Sequence, residues 1–129
     1  MILRPDYINA ITPFIDAPLV KILAGVRRCG KSTIFEMLVQ EIKNKGVSPD
    51  NIIERKYNNP DYDDFTAKKM YTDLKDAIKE KGRCYLFLDE IQEISGWEKA
   101  VNSLMEDFDV DIYVTGSNSK LMSSEISTY

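Results

Sequence analysis

The chain of 129 residues has no histidine and two cysteines, and both scarcities restrict its chemistry. Without histidine there is no serine–histidine or cysteine–histidine hydrolase centre and no histidine-bearing zinc site. Cys29 and Cys84 show no metal-ligand spacing and are too few for a disulfide scaffold. The simplest compartment for such a chain is a reducing one, so we expect a cytoplasmic protein.

Long apolar runs are also absent, and the charge balance is not basic. No stretch approaches the roughly 18 apolar residues that a membrane helix needs, and the first residues lack the pattern of a signal peptide. A net charge of −4 argues against a basic nucleic-acid binder, although it does not exclude a local basic patch on the surface. Apolar residues make up 43% and charged residues 29% of the chain, which is typical of one globular domain.

The apolar pattern predicts an α/β domain. A helix over residues 1–17 precedes four strands, which alternate with helices in the core that begins at residue 18. The strand sequences are VKILAGV, NIIERKYN, CYLFLDE and VDIYVTGS. NIIERKYN is half charged, so we expect it at an edge of the sheet. The alternation favours a parallel sheet with helices on both faces, which is a three-layer fold.

Amphipathic helices are predicted between these strands. The first runs from Ser32 to about Lys43, where the sequence NKGVSP ends it. The second includes Met70 and ends near Gly82, and the third begins at Trp97. A short helix through Leu121 is expected near the end of the chain.

Residues 25–32 read G-V-R-R-C-G-K-S and fit the phosphate-loop pattern G-x-x-x-x-G-K-[ST]. Gly25 and Gly30 allow backbone angles that direct N–H groups towards phosphate oxygens. Lys31 supplies a charge for the β- and γ-phosphates, and the Ser32 hydroxyl is a ligand for Mg²⁺. The alternative is a glycine turn with a solvent-facing lysine. The predicted strand before the loop and helix after it favour phosphate binding.

Arg27, Arg28 and Cys29 occupy three of the four variable positions of this loop. Because main-chain N–H groups bind most phosphate oxygens, Arg27 and Arg28 are free to contact phosphates, a neighbouring subunit's carboxylate or solvent. Cys29 lies near a helix N-terminus, a setting that can make a thiol reactive. A small residue that fits a tight loop is the simpler interpretation of Cys29.

The strand YLFLDE, residues 85–90, ends in two carboxylates. A buried parallel strand delivers its last residues to the rim of the sheet, where ligands bind. There Asp89 can hold Mg²⁺, usually through water, and Glu90 can polarise the water that attacks a γ-phosphate. A polar strand end without function is common, but the phosphate loop favours the functional interpretation. The guanine-reading motif N-K-x-D is absent, so a GTPase is not indicated.

The strand YVTGSNSK, residues 113–120, also ends in a polar cluster. A neutral donor at this position could sense the γ-phosphate or orient the attacking water. Asn118 and Ser117 are the candidates, and Thr115 is a weaker one. The alternative is a plain turn, for which glycine, serine and asparagine are equally suited.

Three segments, GVRRCGKST, YLFLDEIQEISGWEKAVNSL and YVTGSNSKLMSSEIST, together resemble a family of bacterial and archaeal AAA-type ATPases. Many members carry a C-terminal nuclease-like domain. The resemblance implies a five-stranded core in which the YVTGS strand lies between the phosphate-loop strand (Walker A) and the acidic strand (Walker B). It also implies residues that bind and hydrolyse ATP with Mg²⁺, namely Lys31, Ser32 or Thr33, Asp89, Glu90 and Asn118.

In that family the sequence continues into a fifth strand and a helical lid, whereas this sequence stops at Tyr129. We therefore expect a truncated ATPase core over residues 1–129, with the fifth strand and the lid missing. The missing strand would leave VKILAGV as an exposed edge. An exposed edge predicts self-association, or cover by the N-terminal helix.

Two functions fit these motifs. The first is hydrolysis of Mg-ATP that drives a conformational change in a larger protein. The second is a nucleotide-gated switch or scaffold that binds ATP with little turnover. A small-molecule kinase would need an acceptor pocket and a basic lid, and the sequence shows neither.

Overall fold

The computed structural model describes residues 20–24, 31–78, 82–116 and 127–128, and the side chains of residues 23–24, 31–34 and 127–128 are outside the description. The strands are β1 (Lys21–Ala24), β2 (Ile52–Lys56), β3 (Cys84–Asp89), β4 (Val110–Gly116) and β5 (Ser127–Thr128). The helices are α1 (Lys31–Asn44), α2 (Ala67–Ile78) and α3 (Trp97–Asp107). Short 3₁₀ turns lie at Pro49–Asn51, Pro60–Tyr62 and Ile91–Glu93.

The strands form one sheet in the order β2-β3-β4-β1-β5, and the first four strands of this order are parallel. The predicted α/β fold is therefore confirmed, with β4 between the phosphate-loop strand β1 and the acidic strand β3. The charged strand β2 lies at the edge, as its composition predicted. Glu54 and Lys56 of this strand are exposed, while Ile53 between them is buried.

The other edge of the sheet differs from the expectation. The short strand β5 pairs antiparallel with β1, with Thr128 opposite Lys21 and Ser127 opposite Ile22. The edge of β1 is therefore paired at these two positions, which corrects the expectation that it is exposed there. The predicted helices over residues 1–17 and through Leu121 lie outside the described residues.

Two apolar clusters cover the two faces of the sheet, because successive side chains of a strand point to opposite faces. On one face, α2 and α3 pack on aliphatic side chains of the strands, among them Ile22, Leu86, Leu88, Ile112 and Val114. On the other face, α1 packs on aromatic side chains, namely Tyr85, Phe87 and Tyr113. The rings of Phe87 and Tyr113 stack at 4.8 Å, and the Phe35 ring of α1 meets Phe87 edge-on at 5.1 Å. This packing fixes α1 against the sheet.

An ion pair lies within the aromatic face. Lys21 of β1 donates through Nζ to the carboxylate of Asp111 on β4, and both side chains are fully buried. The hydroxyl of Tyr113 donates to the other carboxylate oxygen of Asp111 at 2.7 Å. The Lys21 ammonium also lies 5.1 Å from the centre of the Tyr113 ring. Each charge thus has a partner of the kind that a buried charge requires.

The ends of the helices follow from local sequence. Gly46, at φ 98°, ends α1 in the left-handed conformation that glycine adopts without strain. Before α2, the Thr66 hydroxyl accepts a hydrogen bond from the Lys69 N–H at 3.1 Å, which caps the first turn.

In the described part of the chain, each helix is too short or too polar to cross a membrane.

Candidate active site

The carboxyl ends of β1, β4 and β3 lie side by side at one rim of the sheet. Ala24 of β1 is opposite Gly116 of β4, and Val114 of β4 is opposite Leu88 of β3. Open parallel sheets bind ligands at this rim. The three segments that the sequence singled out therefore begin at neighbouring points of the rim.

The predicted phosphate loop connects two described elements. β1 ends at Ala24 and α1 begins at Lys31, so residues 25–30 join a strand to the N-terminus of a 14-residue helix. This is the context in which a phosphate loop works, because the helix N-terminus carries a partial positive charge. Lys31, Ser32 and Thr33 belong to the first turn of α1.

The roles of the loop residues stay predictions. Residues 25–30 lie outside the described part, and they include Gly25, Arg27, Arg28, Cys29 and Gly30. The side chains of Lys31, Ser32 and Thr33 are outside it as well. The same holds for Ser117 and Asn118, the candidates for contact with the γ-phosphate.

The hydroxyl of Thr115 on β4 contacts both acidic residues at the end of β3. Asp89, the last residue of β3, accepts a hydrogen bond on Oδ1 from Thr115 Oγ1. The same Thr115 oxygen accepts a hydrogen bond from the Glu90 N–H, with 3.2 Å between nitrogen and oxygen. Thr115 is fully buried. The structure thus brings Thr115, which the sequence analysis ranked as a weaker candidate, into contact with both acidic residues.

Glu90 leaves the strand in an unusual backbone conformation. Its φ of 54° and ψ of 51° are left-handed, and it is the one non-glycine residue with positive φ in the described part. Such a conformation is strained for a residue with a side chain, and it often occurs at functional sites. It turns the chain sharply at the rim into the 3₁₀ turn Ile91–Glu93.

The Glu90 carboxylate has a neighbour that sequence reasoning missed. Gln92 donates through Nε2 to Glu90 Oε1 at 2.7 Å. The other amide atom, Gln92 Oε1, is buried and has no hydrogen-bond partner in the described part of the structure. The signal available in the sequence was the position of Gln92, two residues after Glu90 in the segment DEIQ.

The residues at the rim fit a magnesium ion. Mg²⁺ is usually held by one or two carboxylates together with water and substrate phosphates. Asp89 supplies such a carboxylate, and Ser32 lies in the first turn of the helix that follows the loop. Within the described ranges, no cluster of three acidic, histidine or cysteine residues could enclose a metal ion by itself. The Asp89 carboxylate suits a metal ion that takes its other ligands from outside this part of the protein.

A charged pocket lies on the β2 side of Asp89. Lys56 of β2 is opposite Asp89 in the parallel register, and the Tyr57 N–H donates to the Asp89 carbonyl at 3.0 Å. The pocket lies between β2, β3 and α1 and is lined by Phe35, Glu36, Glu54, Arg55, Lys56, Phe87 and Asp89. The edge strand thus places charges of both signs beside the candidate metal ligand.

Comparisons with known proteins agree with this fold. Residues 17–129 match the sequence model of a family described as AAA domain. An uncharacterised protein of Haemophilus influenzae is 35% identical over 133 aligned positions, which cover 99% of this chain and 32% of that protein. An uncharacterised protein of Methanocaldococcus jannaschii is 34% identical over 110 positions, which cover 84% of this chain and 23% of that protein. No solved structure gives a significant match.

Proposed function

The chain belongs to the AAA domain family, and on this premise we propose that it binds Mg-ATP and hydrolyses the β–γ phosphoanhydride bond. One observation carries the proposal. The loop with the phosphate-binding sequence and the Asp89–Glu90 pair begin at the ends of β1 and β3, which lie on one rim of the sheet on either side of β4. A buried scaffold of parallel strands can hold these groups in fixed positions while phosphates bind between them.

We assign the binding tasks as follows. The N–H groups of the loop and Lys31 bind the phosphate oxygens, with the N-terminus of α1 adding its partial positive charge. The Ser32 hydroxyl, with Thr33 as the adjacent alternative, and Asp89 hold the metal ion. When bound, Mg²⁺ neutralises charge that develops on the phosphates.

The catalytic tasks fall to two other residues. Glu90 orients the attacking water and accepts its proton, which is the role of a general base. Asn118 contacts the γ-phosphate from the end of the segment that follows β4. The direct succession of Glu90 after Asp89 supports hydrolysis, because one carboxylate serves the metal ion and the other serves the water.

The wider activity is also a proposal. The chain covers about a third and about a quarter of the two relatives, so the process that hydrolysis drives belongs to a larger protein of that kind. We propose adenine as the base from the family, because phosphate-binding groups do not read the base. A cytoplasmic location is proposed on the sequence evidence alone, and self-association is proposed from the family, through subunit contacts of the AAA type rather than through the part of the β1 edge that β5 pairs. The net charge of −4 gives no support to nucleic-acid binding.

The proposal is tested by calorimetric titration with Mg-ATP and by phosphate release. We expect the wild-type chain to bind Mg-ATP and Lys31→Ala to bind at least about tenfold more weakly, because a charged contact is lost. We expect Glu90→Gln to retain binding and to lose at least about 100-fold in hydrolysis. No binding by the wild type would refute the proposal. Binding with negligible turnover would favour the alternative, a nucleotide-gated switch or scaffold.

A further inference from the structure

We infer that Thr115 is a positioning residue of the candidate active site, whose hydroxyl fixes the Asp89 carboxylate and the Glu90 main chain relative to each other. The inference rests on the proposed function, which it deepens. It assigns Thr115 a role different from contact with a γ-phosphate. Metal binding and water activation would then depend on one buried hydroxyl that touches neither metal nor phosphate.

The hydrogen bonds of Thr115 carry this inference. Its side chain is fully buried, so water does not compete for the hydroxyl. A hydroxyl has one hydrogen to donate, and Thr115 donates it to Asp89 Oδ1. Its oxygen accepts the hydrogen of the Glu90 N–H at 3.2 Å. Because the hydroxyl hydrogen of Thr115 is donated to Asp89, Thr115 cannot at the same time donate a hydrogen bond to a phosphate oxygen.

The location of these bonds explains why they matter. The β3–β4 ladder ends with the pair Leu88 and Val114, one residue before the Asp89–Thr115 contact. Beyond that pair, Glu90 turns out of the sheet with left-handed φ and ψ. An acceptor for the Glu90 N–H at this point favours the strained conformation over relaxed alternatives. Thr115 thus extends the connection between the two strands by a side chain.

The effect on a metal site follows from the geometry of a carboxylate. The terminal torsion of aspartate is broad, so the plane of the group is set by its hydrogen-bond partners. Mg²⁺ demands near-ideal octahedral geometry and tolerates misplaced oxygens poorly. A hydroxyl that holds Asp89 Oδ1 therefore fixes how the carboxylate faces the rim. Its loss would raise the Mg²⁺ concentration that nucleotide binding requires.

A matched pair of variants isolates the hydroxyl. Thr115→Ser and Thr115→Ala both remove the methyl group, and they differ from each other in the hydroxyl alone. The measured quantity is the Mg²⁺ concentration that gives half-maximal binding of a fluorescent ATP analogue. We expect this concentration for Thr115→Ser to lie within about twofold of the wild-type value. We expect Thr115→Ala to need about tenfold more Mg²⁺ and to hydrolyse ATP at least about tenfold more slowly. Affinity for the nucleotide without Mg²⁺ should be equal in all three proteins.

A second readout needs neither metal nor nucleotide. Amide hydrogen exchange at Glu90, followed by NMR, should be at least about tenfold faster in Thr115→Ala than in Thr115→Ser. Thr66→Ala serves as the control for lost stability, because the Thr66 hydroxyl caps α2 through the Lys69 N–H, whereas the Thr115 hydroxyl binds Asp89 and Glu90. This control should lower stability without changing the Mg²⁺ requirement or the exchange at Glu90.

The outcomes separate the inference from the proposed function. Equal Mg²⁺ requirements and equal Glu90 exchange in the serine and alanine variants would overturn the positioning role. A wild type that binds no nucleotide would overturn the proposed function, and the exchange measurement would still test the bond to Glu90. If Thr115→Ala fails to fold, Thr115→Val keeps the side-chain volume without the hydroxyl. The same differences from Thr115→Ser are then expected, and their absence overturns the inference.

Discussion

Lys21 and Asp111 form a fully buried ion pair that joins β1 to β4. The pair affects more than stability, because a slip of β1 by one residue would turn Lys21 to the aliphatic face of the sheet. A charge on that face would lie among aliphatic side chains and away from Asp111. The ion pair therefore selects the register that places Ala24 opposite Gly116, and with it the start of the predicted phosphate loop.

The first prediction concerns this pair. Lys21→Met should lower the free energy of unfolding by about 3–5 kcal/mol, because it leaves the Asp111 carboxylate buried without its cation. The double variant Lys21→Met/Asp111→Asn should lose less than the sum of the two single variants, because it removes the uncompensated charge. Urea denaturation of the four proteins measures this coupling. Additivity to within about 0.5 kcal/mol would show that the two groups do not interact.

The second prediction concerns Gln92, which donates to the Glu90 carboxylate. On the proposed function, Gln92→Leu should lower turnover about tenfold with unchanged Mg-ATP affinity, because Glu90 loses the neighbour that orients it. Gln40→Leu is the matched control, since Gln40 makes an exposed hydrogen bond to Asn44 at 3.1 Å on α1. The control should keep wild-type turnover. A Gln92→Leu protein with wild-type kcat would contradict the orienting role.

The third prediction concerns Tyr57, whose hydroxyl is buried and has no hydrogen-bond partner in the described residues. Tyr57→Phe keeps the ring and removes the unsatisfied group, so it should raise the free energy of unfolding by about 1 kcal/mol. The Tyr57 ring meets the Tyr62 ring edge-on at 5.1 Å, and Tyr62→Phe is the control from the same aromatic contact. Urea denaturation at neutral pH measures the difference. A loss of stability in Tyr57→Phe would mean that the hydroxyl has a favourable partner.

Tyr57 also predicts a pH dependence. Burial raises the pKa of the Tyr57 phenol above its ordinary value of 10.0. The unfolded chain therefore releases this proton at lower pH than the folded chain, and the stability contributed by the neutral phenol is lost as pH rises above 10.0. Tyr57→Phe should lose less stability than the wild type between neutral pH and about pH 11. Parallel pH profiles for the two proteins would contradict this assignment.

The fourth prediction concerns the contact between the edge strand β2 and α2. The Arg55 guanidinium donates two hydrogen bonds to the Asp73 carboxylate, from Nε to Oδ2 at 2.8 Å and from Nη2 to Oδ1 at 3.3 Å. This hydrogen bonding raises the pKa of Arg55. The side chains are 23% and 30% exposed, so Arg55→Lys should cost only about 0.5–1 kcal/mol. The wild-type advantage should shrink in high salt. A cost as large as that of Lys21→Met would show that the pair acts as a buried one.

Much of the fold follows from patterns that the sequence displays openly. The charges of Glu54 and Lys56 predict the edge position of β2, since a central strand would bury them. Gly46 predicts the end of α1, because a helix that needs a left-handed residue at its end prefers glycine. The strand and helix that flank residues 25–30 are predicted by apolar periodicity on either side of the loop. These features depend on neighbours in sequence.

The details of the rim and of the buried pair depend on neighbours across the sheet. Lys21 and Asp111 each interrupt an apolar strand, and a reading of one strand at a time does not show that the two charges meet. Thr115 lies on β4 itself, on the same face as Asp111. The register between β3 and β4, rather than residue type, brings the Thr115 hydroxyl to Asp89. The left-handed backbone conformation lies at a glutamate, Glu90, and not at a glycine, so the sequence does not indicate it.

The position of β1 in the sheet has a consequence for synthesis. Lys21 and its partner Asp111 are 90 residues apart, although they belong to adjacent strands. Of the four parallel strands, a ribosome delivers β1 first, yet the strand beside it, β4, emerges last. The pairs β2–β3 and β3–β4 can form between segments that leave the ribosome closer together in time. A nascent chain that still lacks β4 has therefore made its predicted phosphate-loop sequence but lacks the parallel strand that holds β1 in the sheet, so on the proposed function nucleotide should bind only after β4 has been released.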